Sequence, residues 1–246
     1  MRLDGVRAKL DRAKEHLKAF DAASDRFMES DPYAWATEEG EAPNQHLIKI
    51  TTVAPVPVDV ALIIGDALHN MRCAMDYIVY ADWPTEKAQF PICLDHEAFT
   101  KGFWRIKGAK RLRAKIEALQ PYQPGNGGET NVLWLLSRLS NADKHHTLHL
   151  TSVSLLGTTI RPKRVQDCEI RFTTDVFLGK LEGGTVMGRL TRTVTGPNPE
   201  MEMALRILSA IGFDQAGPGR GQPALDLLTT ISTYIESLVP EFEQLL

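Results

Sequence analysis

Two stretches of this sequence carry polar side chains at helical spacing. His69, Arg72 and Asp76 stand at i, i+3 and i+7, and so do Arg138, Asn141 and His145. At 100° per residue each trio shares one face of a helix, beside an apolar face. Asp66 and Asn70 flank the first set. Trp134 extends the second, and Asp143, Lys144 and His146 gather around the end of its helix. If the helices at 57–81 and 129–147 pack as neighbours, these groups converge at the edge of the core. There a lowered dielectric shifts pKa values. Histidine would then donate and accept protons, and arginine would hold a phosphate or carboxylate.

That expectation supports three chemistries. In the first, the set is a buried, mutually hydrogen-bonded network or ligand cradle in a non-catalytic binding or regulatory module. Its binding groups are His69, Asn70, Arg72, Asp76, Asp143 and Lys144. In the second, Arg138, His145 and Asn141 are catalytic. In the third, Asp66-x-x-His69 and Asp143-x-x-His146 each present a carboxylate and an imidazole on one helical face as metal ligands. Di-metal bundles use Glu-x-x-His pairs plus two further carboxylates. Here the acids are Asp, and no inward Glu on another helix is evident. Simpler roles compete with all three. Arg72 can pair with Asp76 on its own helix, and Lys144 and His145 can cap a helix C-terminus, where the dipole favours cations. No cofactor is indicated, since there is no G-x-S-x-G and no phosphate loop.

The elements that must position these groups follow from periodicity. Leu3, Val6, Leu10, Ala13, Leu17 and Phe20 predict a helix over 2–28. Residues 30–45, with two prolines and several acids, read as a loop, and 46–53 as a strand. Pro55 and Pro57 precede the first polar-striped helix. Phe90-Pro91-Ile92 reads as extended, with helices near 95–103 and 109–119. Residues 120–130 are turn-rich, and the second polar-striped helix follows. Residues 148–156, 168–174 and 183–194 read as antiparallel strands, 199–211 as a further strand or a short helix, and 224–246 as a helix. The expected class is α+β: a helical bundle with an antiparallel sheet in the C-terminal half and a C-terminal helix. A mainly helical region over 1–147 would carry the polar pair. Residues 148–246 would hold the strands and last helix, either separately or within one continuous domain.

Composition narrows the partners. Across 246 residues the net charge is −3, so nucleic acid would need a local patch rather than a global field. The runs at 107–115 and 161–164 are the basic candidates, and solvated surface is their plainer explanation. Three cysteines without a C-x-x-C pair argue against a disulfide framework or thiolate zinc. Without an apolar signal core or an 18-residue apolar run, a cytoplasmic protein with no membrane partner is expected.

The polar stripes also carry a resemblance. Residues 65–77 (G-D-A-L-H-N-M-R-C-A-M-D-Y), then Phe90-Pro91-Ile92, Gln120-Pro121-Tyr122 and 133–145 (L-W-L-L-S-R-L-S-N-A-D-K-H) resemble an uncharacterised bacterial family. Its pattern runs D-x-L-H-N-L-R-S-A-L-D, F-P-I, Q-P-Y and L-W-x-L-x-x-L-x-N-x-D-K-H-R. His146 stands where that pattern has Arg. More distantly, the helical half resembles HEPN domains, whose ribonucleases use an Arg, four to six residues, then His. Arg138 and His145 fit that spacing, although Leu139 stands where a polar residue is usual. The HEPN resemblance implies a homodimer that cleaves RNA without metal. His145 would move the proton and Arg138 would stabilise the phosphorane charge. RNA or a phosphate-bearing ligand is the expected partner.

Overall fold

The computed structural model describes residues 3–146, 148–174 and 179–246. Arg2, Thr147 and the side chain of Arg161, each part of an expectation above, lie outside the described residues. Asp4–Glu29 form helix α1, whose buried residues from Val6 to Phe27 recur every three or four positions. Tyr33–Glu39 form β1 and Gln45–Val53 form β2, paired antiparallel. Strand β1 replaces the loop expected over 30–45. Pro32 and Pro43 stand outside it, and it is a sheet edge whose Glu38 and Glu39 face solvent. Proline and charge at such positions are compatible with an edge strand.

Val58–Asp82 form α2, with Pro57 at its N-cap, and His96–Lys101 and Arg113–Ala118 form the short helices α3 and α4. A 3-10 turn at Phe103–Ile106 separates those two short helices, which are briefer than the predicted ones. Val132–His145 form α5, capped by Asn131, whose side-chain oxygen accepts from the amides of Leu133 and Trp134. Leu150–Gln166, Cys168–Thr174, Gly179–Lys180, Val186–Val194 and Glu200–Phe213 form β3 to β7. Residues 199–211 thus contribute to a strand rather than a helix. Ala224–Leu245 form α6.

The helices α1, α2, α5 and α6 share one core, into which Phe90, Phe213 and Phe242 insert fully buried. Helix α1 runs antiparallel to α2. The Tyr77 ring lies beside Gly5, Lys9 donates to Asn70, and His16 sits 4.0 Å from Asp66. The same logic sets α6 antiparallel to α1, through Arg7 with Glu243 (2.6 Å) and Lys14 with Glu236. The strands form two sheets in the orders β1-β2-β6-β4 and β5-β3-β7, every pairing antiparallel. The first sheet joins β1 and β2 from before residue 147 to β4 and β6 from after it, and α6 closes the bundle. Both layers therefore draw on both halves of the chain.

Part of the basic run at 107–115 is paired within the fold. Arg111 binds Asp82, Lys115 pairs with Glu241, and the Arg113 guanidinium lies 3.9 Å from the Phe103 ring centroid, while Lys107 and Lys110 are exposed. Lys163 and Arg164 lie 3.6 Å from Glu202 and 3.1 Å from Glu200. Among the described residues no helix is long and apolar enough to cross a membrane.

Candidate functional site

Helices α2 and α5 do pack side by side, and a glycine allows it. Gly65 is buried in α2, and a Cβ there would lie 2.4 Å from Oδ1 of Asp143 on α5. Asp143 thus rests on the α2 surface at one end of the crossing. Towards the other end, where the helices meet the Phe90–Ile92 segment, a cleft of about 340 Å³ opens. Arg72, Asp76 and Asn141 from the two stripes line it with Lys144 from the end of α5, together with Arg105, Ser137 and Ser140.

One wall of the cleft is a clamp. Arg72 donates from Nη2 to Asp76 Oδ1 (3.0 Å) and to the Phe90 carbonyl (2.5 Å). The same Oδ1 accepts from the Phe90 amide (2.8 Å). One i, i+4 pair on α2 therefore satisfies both backbone groups of Phe90. The fully buried Gln120 holds the next stretch from the other side. It accepts from the Cys93 amide (2.9 Å) and donates to the Pro91 carbonyl (2.8 Å) and the Ile116 carbonyl (3.0 Å). The segment lies in no helix or strand, so these side chains stand in for a ladder.

The cleft is electropositive. Arg72, Arg105 and Lys144 line it with a single carboxylate, Asp76, whose Oδ2 accepts no hydrogen bond among the described residues. Burial pushes the Asp76 carboxyl above its ordinary range. Arg72, the Phe90 amide, Lys144 and Arg105 act against that rise. Lys144 forms no ion pair among the described residues. Arg105 comes from the 3-10 turn with its guanidinium 4.9 Å from the Trp104 ring centroid. Its Nε is shielded from solvent without a hydrogen-bond partner. An unmet buried donor is costly, on the order of 1–3 kcal/mol.

The remaining candidates lie elsewhere, which corrects the expectation of one buried, mutually bonded network. Asn70 is buried against α1, donating to the Asp66 carbonyl (2.8 Å) and accepting from Lys9 (3.2 Å). His69 is exposed, with Nε2 3.4 Å from Cys73 Sγ. Burial pushes the Cys73 thiol up, so it is no activated thiolate. Asp143 is also pushed up, first by burial and then by Asp66, with His69 and Lys144 opposing. Among the described residues no three or more His, Cys, Asp or Glu side chains are placed to hold a metal, so Asp66, His69, Asp143 and His146 do not assemble into one.

Arg138 and His145 are exposed and turn to the other side of α5, and the exposed Asn141 stands between the two sides. There they line a second cleft of about 470 Å³, with His146, His149 and Asp214. The His146 and His149 rings stack at 6.0 Å, and the Arg138 guanidinium lies 6.0 Å from the Trp134 ring centroid. Asn141 borders both clefts.

Sequence reasoning missed Arg105, Ser137 and Ser140. Ser137 and Ser140 precede Arg138 and Asn141 by one position each, a signal that was present. Arg105 gave none, because a four-residue 3-10 turn has no period to read. Comparison with family models, with curated proteins and with solved structures returns no match for this chain.

Proposed function

We propose that this protein is a non-catalytic binding or regulatory module that holds a small anionic ligand in the cleft between α2, α5 and the Phe90–Ile92 segment. One observation carries the reading. Arg72, Arg105 and Lys144 converge on a single cleft with one opposing acid. A volume of about 340 Å³ fits a compact ligand, since ligand clefts span roughly 300–1,000 Å³. The Arg72–Asp76 clamp fixes one wall in advance, which lowers the ordering cost of binding. Calorimetric titration with sulfate and phosphate tests it. Saturable binding, weakened at least tenfold in both Arg105→Ala and Lys144→Ala, is the expected result. No binding of any small anion would overturn the reading.

A second reading has its own observation. Arg138 and His145 line one open cleft on the outer side of α5 with Asn141, which suits a HEPN-like metal-independent ribonuclease acting as a homodimer. It predicts RNA cleavage in the presence of chelator. That cleavage would be lost in His145→Ala at unchanged melting temperature. Intact RNA after prolonged incubation would count decisively against it.

A further inference from the structure

The inner cleft sets two uncommitted cations and one partly committed acid in a single lining. Among the described residues the Lys144 ammonium and the Arg105 guanidinium form no ion pair, and Asn141 lines the cleft with them. Asp76 Oδ2 accepts no hydrogen bond among the described residues, while Oδ1 is used by Arg72 and the Phe90 amide. Arg72 is likewise committed, to Asp76 and to the Phe90 carbonyl. The clamp therefore leaves one carboxylate oxygen open to a ligand donor and two cations open to a ligand anion.

We propose that the cleft recognises a phosphate monoester of a short amino- or hydroxyalkyl compound, its phosphate held by Arg105 and Lys144 and its ammonium or hydroxyl donating to Asp76 Oδ2. This rests on the anion-binding reading above.

Charge and shape favour phosphate over carboxylate. Two uncommitted cations match the charge of a dianion better than that of a monoanionic carboxylate. A planar guanidinium fork, a point-charge ammonium and an amide approach from different directions. That suits tetrahedrally placed oxygens better than two coplanar ones. The acid in the same lining favours a ligand that also carries a donor, because a site that hydrogen-bonds a hydroxyl or ammonium discriminates more strongly than a missing methylene does. The small volume disfavours longer esters.

The test compares O-phosphoethanolamine, ethyl phosphate, ethanolamine and sulfate by calorimetry on the intact chain. The expected order places O-phosphoethanolamine at least tenfold tighter than ethyl phosphate, with ethanolamine not binding. Asp76→Asn keeps an acceptor oxygen for the clamp and should erase the advantage of O-phosphoethanolamine while retaining ethyl phosphate. Equal affinity for the two phosphates on the natural protein overturns the inference while leaving the anion cleft intact, and needs no variant. Tighter binding of ethyl phosphate does the same. Binding that survives both Arg105→Ala and Lys144→Ala places the ligand elsewhere and overturns the inference. Failure of every anion to bind removes the underlying reading as well.

Discussion

The two sides of helix α5 use similar side chains under opposite conditions. The inner side sets Ser137, Ser140 and Lys144 against α2, where Arg72 and Asp76 are half-buried and bonded to backbone. The outer side sets Arg138 and His145 in water. Burial perturbs Asp76, whereas the outer acid, Asp214, is held below its ordinary range, first by the Ala216 amide and also by Lys180. Residue type alone does not mark a site. Desolvation with fixed partners does, because charge interactions strengthen away from water and the geometry is set before the ligand arrives.

The largest expected effect tests whether the inner side is pre-organised. Asp76→Ala removes the acceptor of both Arg72 and the Phe90 amide, leaving a half-buried cation and an unmet donor. Loss of about 3 kcal/mol in denaturant unfolding is expected, as for a broken buried pair. A loss below about 0.5 kcal/mol would make the clamp ornamental and dissolve the contrast between the two sides.

Next comes the crossing itself. Gly65→Ala brings a Cβ within 2.4 Å of the Asp143 carboxylate, so that side chain must swing off the α2 surface or the helices must part. Overpacking of this kind costs roughly 1–3 kcal/mol. The variant should also weaken anion binding in the inner cleft while leaving any outer-cleft activity unchanged. Anion binding unaffected by a destabilising Gly65→Ala would uncouple the cleft from the helix crossing.

A pH comparison sharpens the electrostatic half of the contrast. Asp76 is raised in the folded state, so its ionisation is penalised there. Its contribution to stability therefore declines as pH rises from the ordinary 3.8 through the folded value. Asp214 is lowered, so its contribution is present above 3.8 and is lost as pH falls through its folded value. Residue-resolved carboxyl titration by NMR should place Asp76 above 3.8 and Asp214 below it. The reverse order would contradict the environments described here.

The smallest effect belongs outside. His145→Ala should change unfolding free energy by less than about 0.5 kcal/mol, as for an exposed side chain. A larger loss would show that the outer imidazole is a structural prop.

Much of this site is legible in the sequence, up to a rotation. The i, i+3, i+7 spacing places His69, Arg72 and Asp76 on one face of α2, and Arg138, Asn141 and His145 on one face of α5. Periodicity cannot say which of two adjacent stripes meets the partner helix. Moving from Arg138 to Ser137 turns the helix by 100° and exchanges the outer cleft for the inner. The strand β1 was hidden for a related reason. Its acids and flanking prolines read as loop until the strand is known to be an edge, and edge position is a property of the assembled sheet. The segments F-P-I and Q-P-Y stood out as motifs, but only the fold shows that Asp76 and Gln120 grip the same stretch from two sides.

That grip has a consequence for how the molecule breathes. The amides of Phe90 and Cys93 belong to no helix or strand, yet side chains rooted in α2 and behind α4 hold them. Their exchange with deuterated solvent should require parting those helices, so their protection should match that of the bundle rather than that of a loop. The stretch is joined to the bundle as a single cooperative opening unit, and a ligand in the adjoining cleft would slow both together.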